Sequence, residues 1–158
     1  MKLIPLKNPK GLFTLIDDSD YEQVSKYVWY GTFKNASWYV RGWVNSEQVS
    51  LHRFITGLSK TDGLEVDHRN HNTLDNQRIN LRVTTRKFNG KNRRKYKATA
   101  SRYKGVQYRK SRGKWITVIR CDNKLRKCGS FNTEEDAAKA YNHKALELFG
   151  EFAYVNKI

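Results

Sequence analysis

The sequence predicts an α+β chain in two modules joined by a basic segment, and three observations predict it. Short runs of aromatic and β-branched residues recur before residue 92, one long helical pattern spans residues 132–150, and an acid-free basic stretch lies between them. A length of 158 residues fits one ordinary domain or two small ones. In chain order, LFTLID (12–17) reads as a strand, and DDSDYEQVSKYVW (17–29) opens on helix-capping residues and reads as a short helix. ASWYVRGWV (36–44) and QVSLHRFITG (48–57) both read as strands, parted by the turn residues Asn45 and Ser46. Trp29, Tyr30, Trp38, Tyr39 and Trp43 are expected in the core and on sheet faces. Asp17, Asp18 and Asp20 could suggest calcium, but the loop spacing and closing Glu are missing, so helix capping is the reading.

Beyond the basic stretch, YKGVQYRK (103–110), KWITVIRC (114–121) and KLRKCGSF (124–131) read as three strands. In the closing helix Thr133 is the N-cap, Glu134, Glu135 and Asp136 suit the positive helix end, and Gly150 suits the C-terminal end. Ala137, Ala138, Tyr141, Ala145 and Leu148 recur at helical spacing, and the alanines let the helix sit close on a sheet. Strand alternation places Trp115, Thr117 and Ile119 on one face and Ile116, Val118 and Arg120 on the other.

The charge points to a partner. Lys and Arg number 31 against 15 Asp and Glu, a net charge of +16. Residues 1–92 hold 14 basic and 9 acidic residues, whereas residues 93–158 hold 17 and 6, and none from Asn76 through Cys121 is acidic. The centre, KNRRKYKATASRYKG (91–105), has no apolar periodicity and reads as a segment lying on phosphates through Lys91, Arg93, Arg94 and Lys95. Nucleic acid is therefore expected ahead of an acidic membrane. The modules are drawn at 1–92 and 101–158, with a basic linker at 93–100. No run of 18 apolar residues suggests a membrane span and no signal peptide is evident. Cys121 and Cys128 form no C-x-x-C pair and read as packing residues of a cytoplasmic protein.

The string LEVDHRNHNTLDNQRINLRVTTRKFNGKN (64–92) carries the chemistry. Hydrolysis of a phosphodiester needs a base for water, an oxygen ligand holding a divalent cation, and a group that orients the base. His68 can be the base, Asp67 and Asn89 supply hard oxygen atoms suited to magnesium, and Asn80 can hold His68 by its backbone or ring. His71 reads as a polar loop residue and His143 as a surface one.

These residues resemble the HNH homing endonucleases, in the group whose last His is replaced by Asn. The matching elements are VDH at 66–68, LDN at 74–76, NLR at 80–82, Thr84 or Thr85, and Asn89, with IPL at 4–6, IDDSDY at 16–21, Trp29-Tyr30 and LHR at 51–53 upstream. The resemblance implies a ββα-metal nuclease core with an N-terminal β-rich elaboration. It implies His68 as general base, Asn80 as its orienting residue, Asp67 and Asn89 as ligands of Mg2+ or Mn2+, and no zinc. His52, Arg53 and Arg82 fall in matching elements and are expected at DNA.

Residues 101–156 resemble the apetala-two/ethylene-response-factor DNA-binding domain through Ser101, Tyr103, KGV at 104–106, Arg109, GKW at 113–115, Ile119, GSF at 129–131, TEEDAAKAY at 133–141, Gly150 and Asn156. That family implies a three-stranded antiparallel sheet in the major groove with one helix behind it. By position Lys104, Gln107, Arg109, Arg112, Lys114, Arg120 and Lys127 face DNA. Gln107, Val118 and Lys127 stand where the plant pattern has Arg, Glu and Trp, so the plant target does not transfer. The combined expectation is a site-specific, magnesium-dependent endonuclease of a phage or other mobile element. It would act on double-stranded DNA as a monomer and nick one strand. The alternative is a sequence-specific regulator with an inactive nuclease core.

Overall fold

Three two-residue turns fix half of the six described strand registers. In Asn35-Ala36, Asn45-Ser46 and Asp122-Asn123 both residues take positive φ, between 48° and 66°. This mirror-image geometry matches the right-handed twist of the strands it joins, and Asn and Asp tolerate it best. The computed structural model describes residues 1–92 and 100–158. Arg93, Arg94, Lys95 and nearly all of the expected linker lie outside them. The chain forms two compact units, Met1–Arg86 and Lys87–Ile158.

In the first unit, β1 (Lys2–Pro5) and β2 (Phe13–Ile16) form an antiparallel pair. A 3-10 turn at Asp18–Asp20 runs into the short α1 (Tyr21–Val24). Then β3 (Trp29–Lys34), β4 (Ser37–Val44) and β5 (Glu47–Ser50) make an antiparallel sheet in chain order. Next comes α2 (Leu51–Thr56), and β6 (Leu64–His68) pairs antiparallel with β7 (Leu81–Thr85). The core gathers Ile4, Leu6, Ile16, Val24, Trp29, Val40, Leu51, Ile55, Val66 and Leu81. Trp29 is buried to 1% exposure, its indole N–H donating to the Val24 carbonyl at 2.9 Å. Trp43, by contrast, stays 60% exposed.

LHRFIT, a strand by its residue content, is helix α2. Leu51 and Ile55, four apart, are both buried, which is helical spacing, and Gly57 closes the helix in the left-handed region at φ 71°. The Asp cluster does not cap a helix by its side chains. Asp20, 1% exposed, instead takes the Arg78 guanidinium at 2.6–3.1 Å, and Asp17 accepts from the Arg78 backbone N–H at 2.7 Å. A carboxylate meeting a guanidinium fork outcompetes a cap, and it fastens a distant loop to the N-terminal segment.

In the second unit, α3 (Arg86–Asn89) spans the division between the units. Then β8 (Val106–Arg109), β9 (Lys114–Cys121) and β10 (Lys124–Phe131) form an antiparallel sheet in the order β10-β9-β8. Helix α4 (Glu134–Phe149) packs on one face. Thr133 caps α4 as expected, accepting from the Asp136 N–H at 3.1 Å. Ala137, Ala138 and Ala145, all at 0% exposure, bring the helix against the sheet, and the Thr117 hydroxyl donates to the Ala137 carbonyl at 2.6 Å. Asn156 clasps the start of β8, exchanging two hydrogen bonds with Lys104 and two with Asn142.

Gly105 has φ +75°, and a Cβ there would stand 2.1 Å from a Tyr141 ring carbon. Gly105→Ala is therefore expected to destabilise the second unit by about 2–4 kcal/mol, combining backbone strain with overpacking. Urea denaturation followed by Trp115 fluorescence, in a background lacking the other tryptophans, checks this through a lowered midpoint.

Candidate active site and nucleic-acid interface

The β6–β7 pair sets Asp67 opposite Arg82 and His68 opposite Leu81. His68 ends β6 with 5% exposure, so its ring is held by the fold rather than by solvent. Its Nε2 lies 3.2 Å from Asn76 Oδ1. Asn76 is itself 1% exposed and arrives from a different part of the loop, residues 69–80. The segment around it is stitched to β2: the Leu15 N–H donates to the Leu74 carbonyl and the Asn76 N–H to the Leu15 carbonyl, each at 2.8 Å.

Those bonds settle which ring nitrogen carries the proton. The Thr14 hydroxyl donates its one hydrogen to the Leu74 carbonyl at 2.7 Å, so toward Asn76 it can only accept. The group facing it at 2.8 Å is then the Asn76 NH2, which turns Asn76 Oδ1 toward His68. An amide oxygen only accepts, so His68 Nε2 carries the hydrogen and Nδ1 holds the lone pair of the neutral ring. Burial lowers the His68 pKa below its usual value, with Asn76, Asp67 and Asp75 opposing that drop, so the neutral form dominates at neutral pH.

Asp67, partly buried, takes Arg82 Nε at 3.0 Å and Nη2 at 2.6 Å, both on Oδ2. Arg82 is only 5% exposed at its side chain, which makes the pair an internal strut. Asn80, expected to bear on His68 itself, acts one step further on. Its side chain accepts from the Asn70 N–H at 3.0 Å and donates to the Asp75 carbonyl at 2.7 Å, while its carbonyl accepts from the Arg69 N–H at 2.9 Å. It shapes the turn that leaves His68. Asn89 lies on α3. Among the described residues no three His, Cys, Asp or Glu side chains converge as a metal cluster.

His52, on α2, meets His68 edge to face with ring centroids 5.4 Å apart. Arg53 is engaged within the fold, donating to the carbonyls of Leu64 at 2.8 Å and of Ser59. Burial, followed by the charges of His68, Arg53 and Arg41, lowers the His52 pKa to about 3. The unfolded chain takes that proton near pH 6.5 and the folded one does not, so stability is full above pH 6.5 and falls as pH drops toward 3. His68 adds in the same direction. At pH 5 the His52 contribution amounts to about 2 kcal/mol. Denaturation midpoints at pH 7.5 and pH 5 check this: His52→Gln should lose markedly less stability on acidification than the parent.

In the second unit, strand alternation and the register put Gln107, Arg109, Lys114, Arg120 and Lys127 on the sheet face away from α4, all exposed. Arg112 is exposed on the turn between β8 and β9. Val106, Thr117 and Ile119 face the helix and are buried. Lys104 departs from the expected groove set. Its ammonium donates to the Lys91 carbonyl at 2.8 Å and lies over the Tyr154 ring, and burial lowers its pKa to about 8. Lys91 in turn reaches the Arg120 carbonyl at 3.1 Å.

No role for Asn76 or Thr14 follows from the sequence alone, nor does the pairing of Asp67 with Arg82; Arg82, expected at DNA, is instead buried against the Asp67 carboxylate. Asn76 stood in the LDN element, which was the available signal. Nothing local marks Thr14.

Residues 53–91 match the family model described as HNH endonuclease. An uncharacterized HNH endonuclease of Acanthamoeba polyphaga mimivirus is 36% identical over 154 residues, covering 94% of this chain and 77% of the viral protein. A dehydration-responsive element-binding protein of Oryza sativa subsp. japonica is 44% identical over 59 residues, 36% of this chain and 18% of the rice protein. An ethylene-responsive transcription factor of Arabidopsis thaliana is 38% identical over 65 residues, 37% of this chain and 40% of the plant protein. No solved structure matches the chain. No helix among the described residues is long and apolar enough to cross a membrane.

Proposed function

The chain belongs to the HNH endonucleases, and on that premise we propose that it is a magnesium-dependent, site-specific DNA endonuclease of the homing type that nicks duplex DNA as a monomer. One observation carries the reading: a buried histidine with its tautomer set by Asn76, next in sequence to a carboxylate braced by Arg82.

His68 Nδ1 takes a proton from the attacking water, and Nε2–H donates to Asn76 Oδ1 throughout, steadying the ring as it becomes imidazolium. The Thr14 hydroxyl and the β2 backbone hold Asn76, and Asn80 holds the turn behind His68. Arg82 orients the Asp67 carboxylate through one of its two oxygens. Oxygen donors in small number suit magnesium, which keeps waters and substrate phosphate in its shell. Asp67 would hold the ion, with Asn89 as the partner that the family motif supplies. Bound there, it would neutralise charge on the phosphate and the departing 3′-oxygen, leaving 5′-phosphate and 3′-hydroxyl ends.

Recognition falls to the second unit, whose helix-free sheet face carries Arg109, Arg120, Lys127 and Gln107. Arg109→Ala and Arg120→Ala should each weaken binding by about 1–3 kcal/mol and relax sequence preference where a guanine contact is lost. Cleavage at saturating DNA should be retained. Binding to a randomised duplex library, followed by sequencing of the bound fraction, reads both effects; an unchanged preference would remove these arginines from base readout. Supercoiled plasmid carrying a recovered site tests the nicking: open circles in magnesium and none in EDTA are expected, and linear product would replace nicking by double-strand cutting.

A further inference from the structure

Outside the His68 site, the first unit contains a cavity of about 250 Å3 lined by Arg41, Ser50, Arg53, Ser59 and Lys60, with Glu47 as its one acidic wall residue. Arg41 stands on β4 opposite Ser50 of β5, and Arg53 stands on α2. Their Nε atoms are both sealed from solvent and both lack an acceptor. The Arg41 side chain makes no hydrogen bond or ion pair to any described residue. Arg53 spends its two terminal nitrogens on the Leu64 and Ser59 carbonyls, which carry no full charge. Neither arginine reaches a carboxylate within ion-pair distance among the described residues, Glu47 included. The cavity wall thus carries three cations and one anion.

The sealed Nε atoms are out of reach of anything in the cavity, and each costs roughly 1–3 kcal/mol without an acceptor, a cost the fold carries while it holds two uncompensated guanidinium groups at one cavity. Water there would leave the charge uncompensated. A tetrahedral oxyanion supplies negative charge and several acceptor oxygens, and the unbonded terminal nitrogens of Arg41 form a fork that matches it bidentately. We propose that the Arg41–Arg53 cavity is a phosphate site, separate from the phosphate that is cut, with Arg41 as its principal ligand. Two sources share this chemistry, a backbone phosphate of bound DNA and free inorganic phosphate.

The experiment uses the full chain with inorganic phosphate and with a duplex oligonucleotide. Arg41→Gln is the test variant, because Arg53 also braces the fold, and Arg41→Lys controls for loss of packing. Phosphate titrated into the parent should shift the Arg41 Nε–H resonance saturably, with the resonance assigned by its loss in Arg41→Gln. If the source is DNA, the log–log salt slope of duplex binding should also fall by about 1 in Arg41→Gln and stay near the parental value in Arg41→Lys. A phosphate shift with an unchanged slope assigns the site to free phosphate. Absence of both effects overturns the proposal, and because neither readout depends on cleavage, its failure is separate from failure of the nuclease assignment.

Discussion

Replacing His68 by alanine will lower the single-turnover cleavage rate by roughly 10²–10⁴-fold, the usual worth of a positioned general base. Duplex affinity should stay near the parental value, because the exposed cationic face of β8–β10 is untouched. The substitution leaves the Asn76 carboxamide oxygen without its imidazole donor in a buried place, so a stability loss of about 1–3 kcal/mol accompanies it. Measuring the rate at saturating protein, well below the denaturation midpoint, separates chemistry from folding. Equal rates in parent and variant would remove His68 from the reaction.

Asn76→Ala is expected to act through His68 without touching substrate. It deletes the acceptor for Nε2–H and also the donor to Thr14, whose hydroxyl keeps its bond to the Leu74 carbonyl, at a site that is 1% exposed. About 1–3 kcal/mol of stability should go with the lost bonds. The chemical consequence is distinct: with no acceptor at Nε2 the proton redistributes between the ring nitrogens, and the fraction of rings presenting a basic Nδ1 falls. The 15N signature of the imidazole should move from a single Nε2–H tautomer in the parent to a mixture in Asn76→Ala, with cleavage slowed and affinity kept. A merely structural Asn76 would lower the midpoint and leave the tautomer signature unchanged. Asn80→Ala supplies the contrast, since Asn80 bonds Asn70 and Asp75 rather than the ring.

These two asparagines show what the sequence could convey. The candidate site residues Asp67, His68, Asn80 and Asn89 stand out in the sequence because they fall within 23 residues at family spacing, and the roles proposed for them await the experiments above. Helix α4 was legible for local reasons, since cap, acidic first turn and alanine face all lie within its own span. The three strands before it were equally local, and Asn45-Ser46 marked its turn by residue type. What was not legible depends on partners far along the chain. Asn76 meets His68 only because β2, some 60 residues earlier, pins the loop by Leu15 and Thr14. Asp17 and Asp20 look like helix caps until Arg78 and its backbone N–H arrive. LHRFIT has β-branched and aromatic content in six residues, too few for its helical period to outweigh that content, and the burial of Leu51 and Ile55 decides it. Arg53 and Lys104 carry charge that reads as surface, yet the terminal nitrogens of Arg53 and the Lys104 ammonium bond main-chain carbonyls.

Cleavage of a random-sequence duplex library, with the ends mapped by sequencing, decides whether the chain is a His68-dependent nuclease. Breaks are expected at a recurrent site, bearing 5′-phosphate and 3′-hydroxyl ends, that need magnesium and disappear with His68→Ala. Binding to recurrent sites without any break in magnesium, or breaks that persist in His68→Ala, would contradict that assignment.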